Sequence, residues 1–318
     1  MRSLLLTRRT VLQAASAMIL AAPFVHSARA AAALSLNLPN IMFDSMGAQV
    51  QVQKQTANRL TTWTNALTKL YAVNYTDWQQ AIAPQLEGNG GTSRQDVFII
   101  TTHQYTSVPE QSTPPPIHPN PIPADYNFGY SSSDLGGILR WVEAGGGLLL
   151  FVNHSDFPDQ GPGPYWPIND VQLAAALGIT TVFAAISLVG FTMRPHRKAP
   201  RQIVEHVRSV QALDSGGIVV DGGPNIATST VLVPLPGGWK DSGPLKYHHS
   251  AGLAFAVLYT VGKGNVITIG HSGITGNAGT DWPSAGEIEA PDNLRFLMNC
   301  VAYLAGMAQK VRKYDRER

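Results

Sequence analysis

A run of four polar residues, Asn153-His154-Ser155-Asp156, directly follows the apolar stretch GGGLLLFV. An imidazole titrates near neutral pH, and a nearby carboxylate can hold the ring in one tautomer, so a histidine and an aspartate together suit acid–base catalysis. An apolar stretch that ends in this way predicts a buried strand whose last residues carry polar groups to the edge of a sheet.

Similar polar residues follow three other apolar stretches. Asp44 and Ser45 come after NIMF, His103 comes after DVFIITT, and His271 and Ser272 come after NVITIG. Ligands of open α/β sheets bind beyond the carboxyl ends of the strands. We therefore expect all of these residues to meet at one polar rim.

Roles within the rim follow from residue type. If a reaction is catalysed, we expect His154, Asp156 and His271 to serve as acid, base and orienter. The other members should contact the ligand: Asp44, Ser45, His103, Asn153, Ser155 and Ser272. The simpler alternative is that Asn153 and Asp156 only cap and turn the chain where a strand ends.

Metal coordination is another use for the same groups. Three imidazoles and a carboxylate suit Zn²⁺, which takes three protein ligands and a water molecule in catalytic sites. The sequence, however, contains no His-x-His and no His-x-x-x-His pair. We therefore expect neither a metal nor any other cofactor.

Apolar stretches alternate with helix-like segments, and this alternation predicts the fold class. Strands are expected at 40–44, 96–102, 148–153 and 265–270, apolar on both faces, as in a parallel sheet covered by helices on both sides. A hairpin turn at Gly262-Lys263-Gly264 predicts antiparallel strands in the second half of the chain. The sequence therefore predicts a flavodoxin-like, three-layer α/β sandwich with a mostly parallel central sheet and antiparallel additions.

Helical spacing and capping residues predict the elements between the strands. The expected helices cover 55–71, 77–86 with Asp77 as the cap, 131–143 with a serine cap, 170–179, and 290–306 started by Pro291 and Asp292. A further short strand is expected at 72–76, whereas the stretch from Arg194 to Gly217 fits either a helix or a loop.

One domain accounts for most of the chain. We expect a single α/β domain over 38–306, preceded by a linker at 31–37 and followed by a charged tail at 307–318. The loop 104–130 follows His103 and holds seven prolines. A long loop without periodicity is usually functional or mobile, so we expect either a lid over the rim or a surface arm.

The first 30 residues have the three parts of an export signal. Arg8 and Arg9 precede an apolar stretch over 11–25, and Ala28-Arg29-Ala30 is a small-x-small cleavage pattern. The adjacent arginines are typical of the twin-arginine type, and the apolar stretch is shorter than the roughly 20 residues of a membrane-spanning helix. We expect a periplasmic or secreted bacterial protein, cleaved after residue 30.

The charge of the mature chain argues against nucleic-acid binding. Of the 23 basic residues, four arginines lie in the first 30 positions, which leaves 19 against 21 acidic residues. Nucleic-acid binding normally needs a strongly basic face. No second segment is apolar enough to span a bilayer, so we expect no stable membrane insertion of the mature chain. The export machinery should bind the chain through its signal.

The order of the elements resembles the class I glutamine-amidotransferase-like superfamily, which has a flavodoxin-type fold. The likeness covers 38–306 and is carried by SSDLGGILRWVEAGGGLLLF, GKGNVITIGHSG and NLRFLMNCVAYLAG. Within the superfamily, the chain is similar to exported branches that are not glutaminases and to ThuA-like (trehalose utilisation) proteins. The resemblance implies a site at the carboxyl edge of the sheet.

The resemblance also implies what is missing. Glutaminases of this superfamily use a cysteine on a turn between a strand and a helix, supported by a histidine and a glutamate. The only cysteine here is Cys300, which lies among Phe296, Leu297 and Val301 in the last predicted helix, where a small buried side chain is expected. We therefore exclude glutaminase activity.

Two functional interpretations remain. In the first, the exported domain binds a small polar molecule, with carbohydrate as one candidate, and catalyses nothing. In the second, it is a hydrolase or lyase that acts on a sugar-like or amide substrate through His154, Asp156 and His271. The absent thiol favours binding, and the density of titratable groups favours catalysis; we adopt binding as the prediction.

The twin-arginine interpretation predicts that export depends on the arginine pair. The variant Arg8→Lys/Arg9→Lys should remain in the cytoplasm with residues 1–30 attached, because that pathway reads both guanidinium groups. Cell fractionation and mass measurement of the mature N-terminus would test this. Unchanged export of the double variant would exclude the twin-arginine route.

Overall fold

A computed structural model of the chain describes nine segments. They are residues 38–44, 60–76, 80–88, 93–101, 130–152, 168–189, 191–241, 252–277 and 287–306. None of the helices in these segments is long and apolar enough to cross a membrane.

The described segments form ten strands and six α-helices. The strands are β1 (Asn40–Phe43), β2 (Ala72–Tyr75), β3 (Val97–Ile100), β4 (Gly147–Phe151), β5 (Thr181–Ser187), β6 (Asp214–Val219), β7 (Ile226–Pro234), β8 (Lys240–Asp241), β9 (Leu253–Val261) and β10 (Gly264–Ile269). The helices are α1 (Thr61–Leu67), α2 (Ile82–Glu87), α3 (Ser132–Glu143), α4 (Ile168–Leu177), α5 (Arg201–Val204) and α6 (Asn293–Leu304).

Five strands form the parallel part of the sheet, in the order β2-β1-β3-β4-β10. Phe43 lies opposite Ile99 in the β1–β3 pair, and Phe151 lies opposite Ile269 in the β4–β10 pair. The strand order reverses between β1 and β3, as in flavodoxin-like sheets, where the reversal opens a crevice at the carboxyl ends. The predicted fold class and the four predicted core strands are therefore confirmed.

The second half of the chain adds antiparallel strands. Gly262 and Lys263 form the tight turn between β9 and β10, and Gly262 has a φ of 57°, which suits glycine in such a hairpin. β7 pairs with β9, while β6, β5 and β8 continue the sheet beyond the carboxyl end of β10. The predicted antiparallel additions are confirmed.

Two hydrophobic layers cover the sheet. On one face, α1, α6 and the connection between β5 and β6 pack on residues such as Phe43, Phe151 and Ile267. On the other face, α2, α3 and α4 pack on residues such as Met42 and Phe98. Because strand side chains alternate between faces, neighbouring strand residues enter different layers.

Most helix predictions are confirmed, and so is the serine cap, but α2 is capped in a way that the sequence did not predict. The Oγ of Ser131 accepts a hydrogen bond from the Asp134 N–H at 3.1 Å, as a serine cap should. Asp134 itself accepts from the Ile82 N–H at 2.9 Å, so α2 is capped by a neighbouring helix. Asp77, the predicted cap, lies outside the described residues.

The start of the last helix differs from the prediction. Asp292 occupies the capping position with a φ of 72° but makes no side-chain bond to the helix. Its Oδ2 instead accepts a hydrogen bond from the Arg208 N–H at 2.8 Å. Asp292 therefore joins α6 to the β5–β6 connection, residues 188–213, in which α5 is the only helix among the described residues.

Cys300 lies where a small buried side chain was expected. It is fully buried on α6, and burial raises the pKa of its thiol, so the reactive thiolate form is suppressed at neutral pH. This position separates it from the carboxyl edge of the sheet, because α6 runs along the face of the sheet and not at its end.

Replacing Cys300 should affect stability and not reactivity. We expect Cys300→Ser to lower the free energy of unfolding by about 1–3 kcal/mol if the new hydroxyl is buried unpaired, because Cys300 lies in an apolar layer. Cys300→Ala, which buries no polar group, is the matched control. Denaturant unfolding measures both variants, and rapid labelling of the native protein by a bulky maleimide would contradict the burial of the thiol.

Candidate functional site at the carboxyl edge of the sheet

Polar residues follow the parallel strands at their carboxyl ends, and they are buried. The five that the structure describes are Asp44 after β1, Thr76 after β2, Thr101 after β3, and His271 and Ser272 after β10, each at most 4% exposed. Buried polar groups destabilise a fold unless hydrogen bonds satisfy them. Two clusters of side chains provide these bonds for Asp44, Thr76 and His271.

The first cluster surrounds the Asp44 carboxylate. The Thr76 hydroxyl donates to Oδ1 at 3.1 Å, and the Tyr130 hydroxyl donates to Oδ2 in a short hydrogen bond. The Asp44 N–H donates to the Ile99 carbonyl at 2.9 Å, which fixes the residue beside β3. The carboxylate is therefore held by two hydroxyl donors at the strand reversal, where α/β proteins bind ligands.

The second cluster pairs His271 with Glu287. Nε2 of the imidazole lies 3.2 Å from Oε1 of the carboxylate, and both side chains are less than a tenth exposed. The Glu287 carbonyl accepts from Nδ2 of Asn293 at 2.7 Å, so the first residue of α6 fixes this acid. Among the described residues, Oε2 of Glu287 has no hydrogen-bond partner.

Glycines fix the direction of His271. A Cβ atom on Gly270 would lie 2.3 Å from the Ser215 Oγ and 2.6 Å from the Gly216 carbonyl oxygen, because β6 crosses the end of β10. A Cβ atom on Gly273 would lie 2.2 Å from Nε2 of the imidazole. A larger residue at Gly273 would displace the ring, and a larger residue at Gly270 would separate β6 from the end of β10. Glycine at both positions therefore keeps the imidazole where it is.

The two clusters lie at the same edge but on opposite faces of the sheet. Asp44 comes two residues after Met42, so its side chain points to the same face, which is the layer of α2, α3 and α4. His271 comes two residues after Ile269 and four after Ile267, so its side chain points to their face, which is the layer of α1 and α6. Strands β3 and β4 separate them, or roughly 14 Å at the usual strand spacing. Asp44 and His271 therefore cannot act on the same atom.

Glu287 was not predicted from the sequence. It follows no strand, and it lies 16 residues after His271 in a short 3₁₀ turn before α6. In the sequence, Glu287 stands out only because it is acidic and lies close to the start of a predicted helix. The structure nevertheless assigns it as the carboxylate that holds His271, a role for which Asp156 was the candidate.

Several predicted rim residues lie outside the described part of the chain. They are Ser45, His103, Asn153, His154, Ser155 and Asp156. For Asn153 to Asp156, the structure shows where the segment begins: the Val152 N–H donates to the Ile269 carbonyl at 2.8 Å, next to the end of β10. A distance of about 10 Å or less between His154 and His271 remains a prediction.

A metal site has no support in the part of the chain that the structure describes. No group of three His, Cys, Asp or Glu side chains is close enough there to hold an ion. Two of the three histidines weighed for zinc, His103 and His154, belong to the undescribed segments, as does Asp156.

Comparison with known proteins returns structural neighbours only. No protein-family model and no curated protein sequence matches the chain. Among solved structures, it is similar to a ThuA-like protein of Bacteroides uniformis ATCC 8492, with 13% identity, a TM-score of 0.44 and coverage of 89% of this chain and 94% of that one. A second ThuA-like protein, from Parabacteroides merdae ATCC 43184, has 10% identity, a TM-score of 0.40 and coverage of 84% and 90%.

A protein of Salmonella typhimurium LT2 that is named as cytoplasmic is also similar, with 15% identity, a TM-score of 0.46 and coverage of 83% of this chain and 99% of that one. Two of these neighbours carry the name of the family that the sequence resembles. Likeness at this level carries no information about activity, and the fold class rests on the strand order itself.

Proposed function

We propose that this protein binds a small polar molecule at the carboxyl edge of its sheet. The observation that carries the proposal is that four parallel strands, β1, β2, β3 and β10, lead into buried polar residues within two positions of their ends. Apolar residues at these positions would stabilise the fold at no cost in desolvation. Polar groups collected where the strand order reverses are characteristic of ligand sites in α/β proteins.

The chemistry of the groups favours a ligand with several hydroxyl or amide groups. A carboxylate, an imidazole and hydroxyl groups offer both donors and acceptors. Tyr75, which is half exposed and stacks on Phe43 with ring centroids 5.8 Å apart, adds an aromatic ring at the end of β2, on the face of the sheet opposite to the Thr76 hydroxyl. Carbohydrates present hydroxyl groups together with apolar ring faces, so they fit this combination.

A hydrolase or lyase is the second candidate, and the His271–Glu287 pair favours it. A carboxylate that holds an imidazole at hydrogen-bond distance is the base and orienter arrangement of acid–base catalysis. In this interpretation Glu287 orients His271, and His154 and Asp156 would have to supply the remaining proton transfer. Thiol chemistry has no part in it, because Cys300 is buried on α6.

The proposed setting is the periplasm or the cell exterior. Its support is the sequence alone: the arginine pair, the short apolar stretch and the cleavage pattern within the first 30 residues. In such a setting, the ligand would be an extracellular or periplasmic small molecule, and no nucleic acid would be a partner.

The binding proposal predicts a thermal shift that depends on the rim. Differential scanning fluorimetry of the full chain with glucose, maltose, trehalose, galactose and glutamine should show a rise in Tm with at least one compound, since a ligand at 100 times its Kd stabilises the native state by about 2.7 kcal/mol. Asp44→Asn or Glu287→Gln should weaken that compound's binding at least tenfold.

The control for this experiment is His206→Asn, set against His271→Asn. His206 is exposed and has a φ of 59°, a conformation that asparagine tolerates, so its replacement should leave both stability and binding unchanged. Equal binding by the two histidine variants, or no shift with any compound of the panel, would contradict the binding proposal.

The catalytic alternative predicts a specific pattern of losses. If the purified chain hydrolyses p-nitrophenyl glycosides or aryl amides, His271→Asn should lower kcat by a factor of about 10²–10⁴, the usual contribution of a general acid or base. Glu287→Gln should lower kcat less, because the imidazole stays in place. Turnover that survives His271→Asn would exclude this residue as the acid or base.

A further inference from the structure

We propose that the β5–β6 connection docks the protein on an anionic phospholipid surface. This inference is independent of the small-molecule site, since the residues that carry it lie on the connection and not at the carboxyl ends of the parallel strands. It rests on three observations: a concentration of exposed positive charge, an exposed apolar side chain five residues before it in the sequence, and a backbone held in place by α6.

The positive charge is concentrated in eight residues. Arg194, Arg197, Lys198 and Arg201 lie in this span without an intervening acidic residue, and all four are exposed. Arg201 is 79% exposed, and its Nε lies 3.7 Å from Oε1 of Glu205, with which it forms an ion pair. Within the described segments the other three form no ion pair, so their charges face solvent.

An apolar side chain accompanies this charge. Val189 is 66% exposed, the highest exposure among the large hydrophobic side chains that the structure describes as exposed. The Phe191 N–H donates to the Leu188 carbonyl at 2.9 Å, so Val189 lies in a tight turn that leads into the basic residues. An exposed valine adds nothing to the binding of a soluble anion, whereas at a bilayer, which offers phosphate groups and an apolar boundary together, it adds apolar contact.

The backbone that presents these side chains is fixed. Met193 and Val210 exchange backbone hydrogen bonds at 2.9 and 2.8 Å. Nδ2 of Asn299 on α6 donates to the carbonyl oxygens of Ile203 and Glu205 at 3.1 and 2.9 Å. Binding through a segment that is already ordered loses little conformational entropy.

The surrounding charge makes the attraction local. Beyond residue 30, the chain has 19 basic and 21 acidic residues, so the molecule as a whole is not drawn to anionic surfaces. A bilayer rich in anionic lipid would attract only the basic segment, which would orient the protein with this connection against the membrane.

Vesicle flotation tests the proposal with the full chain. Vesicles of phosphatidylcholine alone are compared with vesicles that contain phosphatidylcholine and phosphatidylglycerol at about 3:1, since attraction to anionic lipid is screened by salt and grows with each Lys or Arg near the surface. We expect the wild type to bind the anionic vesicles more tightly, and the difference to disappear at about 1 M salt. The N-terminal segment is common to all variants, so it cancels in the comparison.

Two triple variants separate the patch from general charge. Arg194→Gln/Arg197→Gln/Lys198→Gln should reduce partitioning to anionic vesicles by about a hundredfold, at roughly fivefold for each of the three charges. The matched control is Lys69→Gln/Arg140→Gln/Lys263→Gln, which removes the same charge from exposed positions on other elements and should change partitioning less than twofold.

The apolar contribution is tested by Val189→Ser. We expect a loss of about threefold or more with anionic vesicles and no change in binding to dextran sulfate, a soluble polyanion. Equal partitioning of the two triple variants would overturn the proposal. Binding to dextran sulfate as tight as binding to vesicles, with Val189→Ser silent in both, would also overturn it and would assign the surface to soluble polyanions instead.

Discussion

The placement of β10 between β4 and β9 is the constraint on which the rest of this structure depends. It pairs in parallel with β4 and antiparallel with β9, so it joins the flavodoxin-like half of the sheet to the antiparallel half. The start of β10 lies very close to the end of α3: a Cβ atom on Gly264 would lie 2.1 Å from the Val142 carbonyl oxygen. Only glycine fits there, and the register of β10 carries His271 to the carboxyl edge.

The same register explains why the polar edge is divided. A strand sends alternate residues to opposite faces, so two residues can share an edge and still belong to different layers. Asp44 is satisfied by hydroxyl groups from the α3 side, while His271 is satisfied by a carboxylate from the α6 side. Each cluster is stabilised within its own layer, and a ligand that touched both would have to lie across the top of β3 and β4.

The strands and the fold class could be predicted because they depend on local patterns. Apolar stretches on both faces identify β1, β3, β4 and β10, and the turn at Gly262 identifies the β9–β10 hairpin. The serine cap at Ser131 is likewise a local signal. These features need only a few consecutive residues, so a single sequence is enough to find them.

The partners of the polar groups could not be predicted because they depend on contacts between distant segments. Tyr130 reaches Asp44 across 86 positions, and Asn293 bonds both Gln211 and the carbonyl of Glu287. No periodicity in the sequence reports such pairs. From the sequence we expected one rim, whereas the described residues lie on two faces, because the face to which a strand residue points is known only when the register is known.

The docking of α6 has a consequence for how the chain is made. Asn299 and Asn293 satisfy backbone groups of the β5–β6 connection, and β10, the strand that unites the sheet, begins 221 residues after β1 ends (264 − 43). A nascent chain emerges from its N-terminus, so the first strands are synthesised long before the strand that joins the two halves of the sheet. A premature stop shortly before β10 would therefore leave a long product without a completed sheet.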